Sequence, residues 1–188
     1  HSSFEKMEND IEGALEEHKL MGTTNMGVGG WGFQTEADVY DFIERATKIA
    51  DRISTEGMTF TYHNPSHDFR QFGGKTIMEI LAEGLDKDKT SFVLDTYWVQ
   101  YSGGDSIEWI KKLAGRIDIL HLKDMMVDKD CKIVSTEIGN GNMNFNGIIK
   151  TAEETGVKYF CVEQESYDGR DSLECVKDSS EYLHKYYM

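Results

Sequence analysis

The chain has 188 residues, 39% of them hydrophobic, which suffices for one buried core and predicts a single domain over residues 1–188. Thirty-four acidic against twenty basic residues leave a net charge of −14, a field that repels a phosphate backbone and argues against nucleic acid as a partner. No apolar run is long enough to span a bilayer and no signal peptide is visible, so the expectation is a cytoplasmic protein without a membrane partner.

Phe4, Met7, Ile11, Leu15 and His18 recur at three- and four-residue steps and predict a first helix, with Ser2 followed by Glu5 at its expected N-cap. After Gly22 comes a weak strand, Met26-Gly27-Val28-Gly29-Gly30. Val39, Phe42, Ile43, Ala46, Ala50 and Ile53 form the next apolar stripe, with Thr35 and Asp38 at its start and Gly57 at its end. The following strand ends in Thr61-Tyr62-His63-Asn64. Beyond Gly84, Phe92-Val93-Leu94 leads into Asp95-Thr96-Tyr97-Trp98. Beyond Gly115, the apolar run from Ile117 to Leu122 carries His121 and is followed by Lys123 and Asp124. Beyond Gly156, the chain reaches Val162-Glu163-Gln164-Glu165. Glycine suits the residue just past a helix because it tolerates positive φ. The repeating order of helix, glycine, apolar strand and polar loop predicts an α/β fold with a parallel sheet covered by helices. Cys131, Cys161 and Cys175 have no metal-type spacing and are read as reduced packing residues.

Asp95, His121 and Glu163 each stand at the carboxyl end of a different strand, and a parallel barrel or sheet brings such positions to one face. Two carboxylates and one imidazole suit a divalent cation: manganese, magnesium, cobalt or zinc. Such a cation holds a carbonyl and a neighbouring hydroxyl of a sugar and stabilises the charge that develops when the α proton leaves. That chemistry is aldose–ketose isomerisation or epimerisation. Taken singly, each residue has an ordinary reading: a strand-end carboxylate caps a helix, a histidine packs in the core, Asp124 caps a turn. The joint occurrence at successive strand ends is what argues for a site.

The runs Thr61-Tyr62-His63-Asn64 through Asp68-Phe69, Leu94-Asp95-Thr96-Tyr97-Trp98-Val99-Gln100-Tyr101, Leu120-His121-Leu122-Lys123-Asp124, Glu137-Ile138-Gly139-Asn140-Gly141-Asn142 and Val162-Glu163-Gln164-Glu165 resemble the sugar phosphate isomerase/epimerase family of xylose-isomerase-like TIM barrels. The resemblance implies a TIM-barrel-like α/β fold with outer helices and a metal at the carboxyl ends of the later strands. It makes Asp95, His121 and Glu163 the metal ligands and Glu163 a proton-transfer group. It places His63 beside the metal or the sugar as a second catalytic group, and Lys123, Trp98, Gln100 and Asn64 in the substrate pocket. Two departures stand out. Pro65 occupies the position of an expected second histidine, and the strand carrying His63 lacks a carboxylate, which leaves Asp68 as the nearest substitute base. A complete barrel needs roughly 200–250 residues, and this chain offers five strands that match the fourth through eighth. The expectation is therefore an incomplete barrel that associates through its open sheet edge, as a homo-oligomer or with a partner chain completing the barrel. The implied function is a metal-dependent isomerase or epimerase acting on a small sugar or sugar derivative by α-proton transfer. The alternatives are an inosose-type dehydratase or lyase, and a non-catalytic carbohydrate-binding or assembly subunit.

Overall fold

The computed structural model describes residues 2–187, which divide after Val93 into two units. In the first unit the N-terminal apolar stripe is carried by two helices rather than one, α1 (Phe4–Asn9) and α2 (Ile11–Leu20). The break is Asp10, whose non-helical backbone lets its carboxylate accept from the Gly13 N–H and cap the second helix. The cap of α1 is Ser3, not Ser2: its hydroxyl accepts from the Lys6 N–H. Phe4, Met7, Leu15 and His18 are buried, as the stripe requires.

After β1 (Asn25–Val28) comes α3 (Glu36–Ser54), which starts with the expected capping box. The Thr35 hydroxyl accepts from the Asp38 N–H, and the Asp38 carboxylate accepts from the Thr35 N–H at 2.8 Å. Val39, Phe42, Ala46, Ala50 and Ile53 of α3 are fully buried. β2 (Thr59–His63) runs parallel to β1 in the register Asn25↔Thr59 to Val28↔Tyr62. The two backbones approach so closely at Gly27 that a Cβ there would stand 2.4 Å from the Thr61 carbonyl oxygen, so only glycine fits. A small hairpin, β3 (Gln71–Phe72) with β4 (Lys75–Thr76), leads into α4 (Ile77–Gly84). β5 (Thr90–Asp95) is buried along its whole length and pairs with β2 in parallel, from Phe60↔Thr90 to His63↔Val93.

The glycines that close the helical stretches divide into two kinds. Gly22, Gly57, Gly115 and Gly156 have positive φ, as expected. Gly84 does not: it remains in α4, where a Cβ would lie 2.6 Å from the Ile43 Cδ1, so its smallness serves the packing of α4 against α3.

In the second unit, α5 (Thr96–Tyr101) and α6 (Ser106–Lys112) precede β6 (Ile117–Leu122). An antiparallel hairpin, β7 (Asp124–Val127) with β8 (Ile133–Thr136), lies outside the sequence reading. α7 (Phe145–Glu154), β9 (Tyr159–Val162) and α8 (Ser172–Tyr187) complete the unit. β9 pairs with β6 in parallel, from Ile119↔Tyr159 to Leu122↔Val162.

All five expected strands, now β1, β2, β5, β6 and β9, are present and parallel, each preceded by helix. The fold class is α/β and TIM-barrel-like, with five parallel strands where a closed barrel has eight. The expectation that all three cysteines pack is corrected in part: Cys175 is buried, whereas Cys131 and Cys161 are exposed free thiols. Cys131 sits with positive φ at the hairpin turn and Cys161 on the outer strand β9, positions that no packing stripe marks in the sequence. Among the described residues no helix is long and apolar enough to cross a membrane.

Candidate metal centre

Asp95 ends β5 and does two things at once. Its Oδ1 accepts from the Tyr97 and Trp98 N–H groups at 2.9 and 3.2 Å and so caps α5. Asp95 is fully buried, and its Oδ2 lies 3.6 Å from the Nδ1 of the partly exposed His121. His121 is brought to this point by β6, and its carbonyl accepts from the Thr96 hydroxyl at 3.0 Å, which ties the start of α5 to the strand. Glu163 follows β9 directly, and its N–H donates to the Leu122 carbonyl at 3.0 Å, continuing the strand pairing by one residue. Its Oε2 makes a short contact with the His121 Nδ1. Three strand ends thus place one ligand-capable atom each from Asp95, His121 and Glu163 within 4.8 Å of one another.

The charges in this group are interdependent. Burial alone would lower the His121 pKa, but the hydrogen bonds to Asp95 and Glu163 outweigh it and push the imidazole up to about 9. The bond to His121 in turn holds the Glu163 carboxyl below the usual carboxylate range. In this state an imidazolium sits between two carboxylates. That donor set fits a divalent cation that takes the place of the imidazolium proton, because two oxygens and one nitrogen lie close together and His121 would bind as neutral imidazole.

Lys123 follows β6 and is fully buried. Its Nζ lies 2.7 Å from the Glu165 Oε1, 3.6 Å from the Glu163 Oε1 and 4.0 Å from the Asp95 Oδ2. The ammonium also faces the rings of Tyr97 and Trp98, at 4.8 and 4.6 Å from their centroids. Of the residues expected to form the site, the second unit therefore brings together Asp95, His121, Glu163, Lys123 and Trp98. Gln100 is exposed on α5, with no hydrogen bond or ion pair to that group. His63 and Asn64 belong to the first unit, at and just past the end of β2. The His63 Nδ1 lies 3.4 Å from the Gly29 carbonyl, and Asn64 is fully buried. Asp68 is enclosed as well, and accepts from the Tyr62 hydroxyl at 2.7 Å.

Two contributors went unassigned in the sequence. Glu165 closes over Lys123, and the signal for it is the spacing of Glu163 and Glu165, since residues two apart in an extended segment point to the same side. Asp124 does more than cap a turn. Its two oxygens accept from the N–H groups of Met125, Gly139, Gly141 and Met143 at 2.7–3.2 Å, and so hold the loop after β8 in place.

A family model described as the xylose isomerase-like TIM barrel matches residues 5–186, nearly the whole length. The chain belongs to this family. Within it, 98% of the chain superposes with a TM-score of 0.83 on a sugar phosphate isomerase/epimerase from Parabacteroides distasonis ATCC 8503; the two are 27% identical, and the chain covers 65% of that protein. An inosose dehydratase from Geobacillus thermodenitrificans (strain NG80-2) is 27% identical over 148 residues, which is 70% of this chain and 48% of the relative. The chain thus spans about half the length of the curated relative it matches. A structure described as the IOLI protein with a binding zinc atom superposes with a TM-score of 0.70 at 16% identity, over 95% of this chain and 69% of the other, and shares the fold.

Proposed function

We propose that the chain carries the metal-binding half of an isomerase or epimerase that moves a proton on a carbon next to the carbonyl of a small sugar or sugar derivative. The observation that carries this reading is the convergence of Asp95, His121 and Glu163 from three strand ends, with a buried ammonium beside two of them. Asp95, His121 and Glu163 hold a divalent cation of the manganese, magnesium, cobalt or zinc kind. When bound, that cation supplies Lewis acidity, drawing electron density from a substrate carbonyl and so acidifying the adjacent C–H. Glu163, as a carboxylate, takes the α proton and returns it. His63 is the second proton-transfer group, and Asn64, Lys123, Trp98 and Gln100 contact the substrate. Gln164, Asn140, Ser166 and Arg170 are among the residues that line a cavity of about 190 Å³, together with the apolar Met126 and Val134. The likeness to a sugar phosphate isomerase/epimerase from Parabacteroides distasonis supports this reading.

A second reading shares the first step. A dehydratase also removes the α proton but then expels a neighbouring hydroxyl, and the 27% identity to an inosose dehydratase favours it. A cytoplasmic location and association with a second copy or a completing partner chain belong to the same proposal.

The test is proton exchange in deuterated water with manganese and a panel of ketoses and inososes, followed by NMR. An isomerase or epimerase places deuterium on the α carbon of a rearranged sugar, whereas a dehydratase yields an unsaturated ketone. Glu163→Gln keeps the shape of the side chain but cannot act as a base, and should slow exchange by about 100-fold or more with an unchanged melting curve. Exchange at the wild-type rate would remove Glu163 from the mechanism.

A further inference from the structure

Lys123 places a fixed positive charge where the metal reading needs negative charge. Its ammonium is 3.6 Å from one ligand carboxylate and 4.0 Å from the other, yet it is 2.7 Å from Glu165, which is not a ligand. The lysine is fully buried, so its charge cannot retreat into water, and the faces of Tyr97 and Trp98 fix the side from which it approaches. Glu165 is half-exposed and supplies the shortest of the three ion pairs.

We infer that Lys123 and Glu165 form a charge clamp that sets the affinity of the Asp95–His121–Glu163 group for a divalent cation, an inference that rests on the metal-centre reading above. The ammonium shares the carboxylates with any incoming cation and repels it, which lowers affinity. Glu165 draws the ammonium toward itself and off Asp95 and Glu163, which restores affinity. Lys123 is thus a competitor built into the site, and Glu165 is the positioning residue that restrains it. Metal binding weak enough to be reversible follows from this arrangement without any change in the ligands.

The two residues make predictions of opposite sign. Manganese(II) titrations of the full chain, followed by calorimetry and by loss of the free-ion EPR signal at fixed pH and ionic strength, read the dissociation constant directly. Lys123→Met should tighten binding by roughly tenfold or more, because one charge beside a divalent ion is removed from a poorly solvated place. Glu165→Gln should weaken binding by roughly tenfold, since the released ammonium has only Asp95 and Glu163 left to pair with. In the Lys123→Met background, Glu165→Gln should lose most of that effect, to about threefold or less, because it acts through the lysine. Lys123→Gln serves as the second variant should the methionine disturb folding, and circular dichroism melts check each protein. Shifts of the same sign for both residues, or an undiminished Glu165 effect without Lys123, would overturn the clamp. Saturable binding to wild type with no change in Lys123→Met or Lys123→Gln would overturn it too, while leaving the metal reading in place. If neither the wild type nor any Lys123 variant binds manganese, the metal reading falls and the clamp falls with it.

Discussion

Among single side chains, Asp68 is a carboxyl whose ionisation the fold opposes. It is fully buried, and burial pushes its carboxyl from 3.8 up to about 8, against the pull of the Tyr62 hydroxyl and the Arg70 charge. Between those values the folded chain holds a proton that the unfolded chain has released. The stabilising contribution is therefore complete below about pH 4 and is lost as pH rises toward 8. Asp68→Asn keeps an acceptor for Tyr62 and removes the titration. Its melting temperature should exceed that of the wild type by several degrees at pH 8, at about 2–4 °C per kcal/mol, and converge with it near pH 4. Parallel melting curves across that range would show that Asp68 is ionised in the fold. The same residue marks where sequence stops being informative. Asp95, His121 and Glu163 are legible because each terminates an apolar strand, a pattern written along the chain. The depth of burial of Asp68 and the partners of Lys123 are fixed only once distant segments have packed.

The strands and long helices follow from local pattern because their periods are local: three to four residues for α3, continuous apolar runs for β5 and β6. The N-terminal stripe shows the limit of that logic. Its apolar spacing continues through Asp10 although the backbone does not, because a capping aspartate can start a new helix without interrupting the stripe. The β7–β8 hairpin was illegible for another reason: its strands alternate weakly, and Asp124, a residue of the first strand, supplies the order by collecting the amides of the following loop. Asp124→Ala should destabilise the chain by about 2–4 kcal/mol, as several amides lose a charged acceptor together. Hydrogen exchange should speed up at Gly139, Gly141 and Met143 before it does so in β6. Unchanged protection at those amides would mean that the loop is held by something other than Asp124.

On the scale of the whole molecule, the family match extends from residue 5 to 186, while the chain accounts for only 65% of the Parabacteroides protein and 48% of the Geobacillus one. β9 is correspondingly conspicuous: Tyr159 is 55% exposed and Phe160 39% exposed. Phe160 also lines an apolar groove of about 490 Å³ with Leu122, Ile149, Val176 and Leu183. Strand edges and apolar surface of this kind favour pairing. Light scattering on a dilution series should give a mass above that of one chain at micromolar concentration, and Phe160→Lys should lower it. A cooperatively melting monomer throughout the series would remove association from the proposed function. The five parallel strands were readable in advance, since each is preceded by its own helix and glycine, whereas the two hairpins were not. The exposure of β9 was not, because an apolar strand reads alike whether covered or bare.

The contact between Trp98 and the Lys123 ammonium, 4.6 Å from ring centroid to nitrogen, also makes the centre optically observable. Of the three tryptophans, Trp31 packs tilted against Phe4 and Phe42 in the first unit and Trp109 lies against Lys112. Trp98 alone has its indole over the charge that the two ligand carboxylates share. An ion entering there displaces positive charge across the face of a chromophore, so its emission should shift in colour with zinc and be quenched outright by paramagnetic manganese. Subtracting the spectrum of Trp98→Phe isolates that response, giving a label-free signal fast enough to follow cation arrival and departure in a stopped-flow cell.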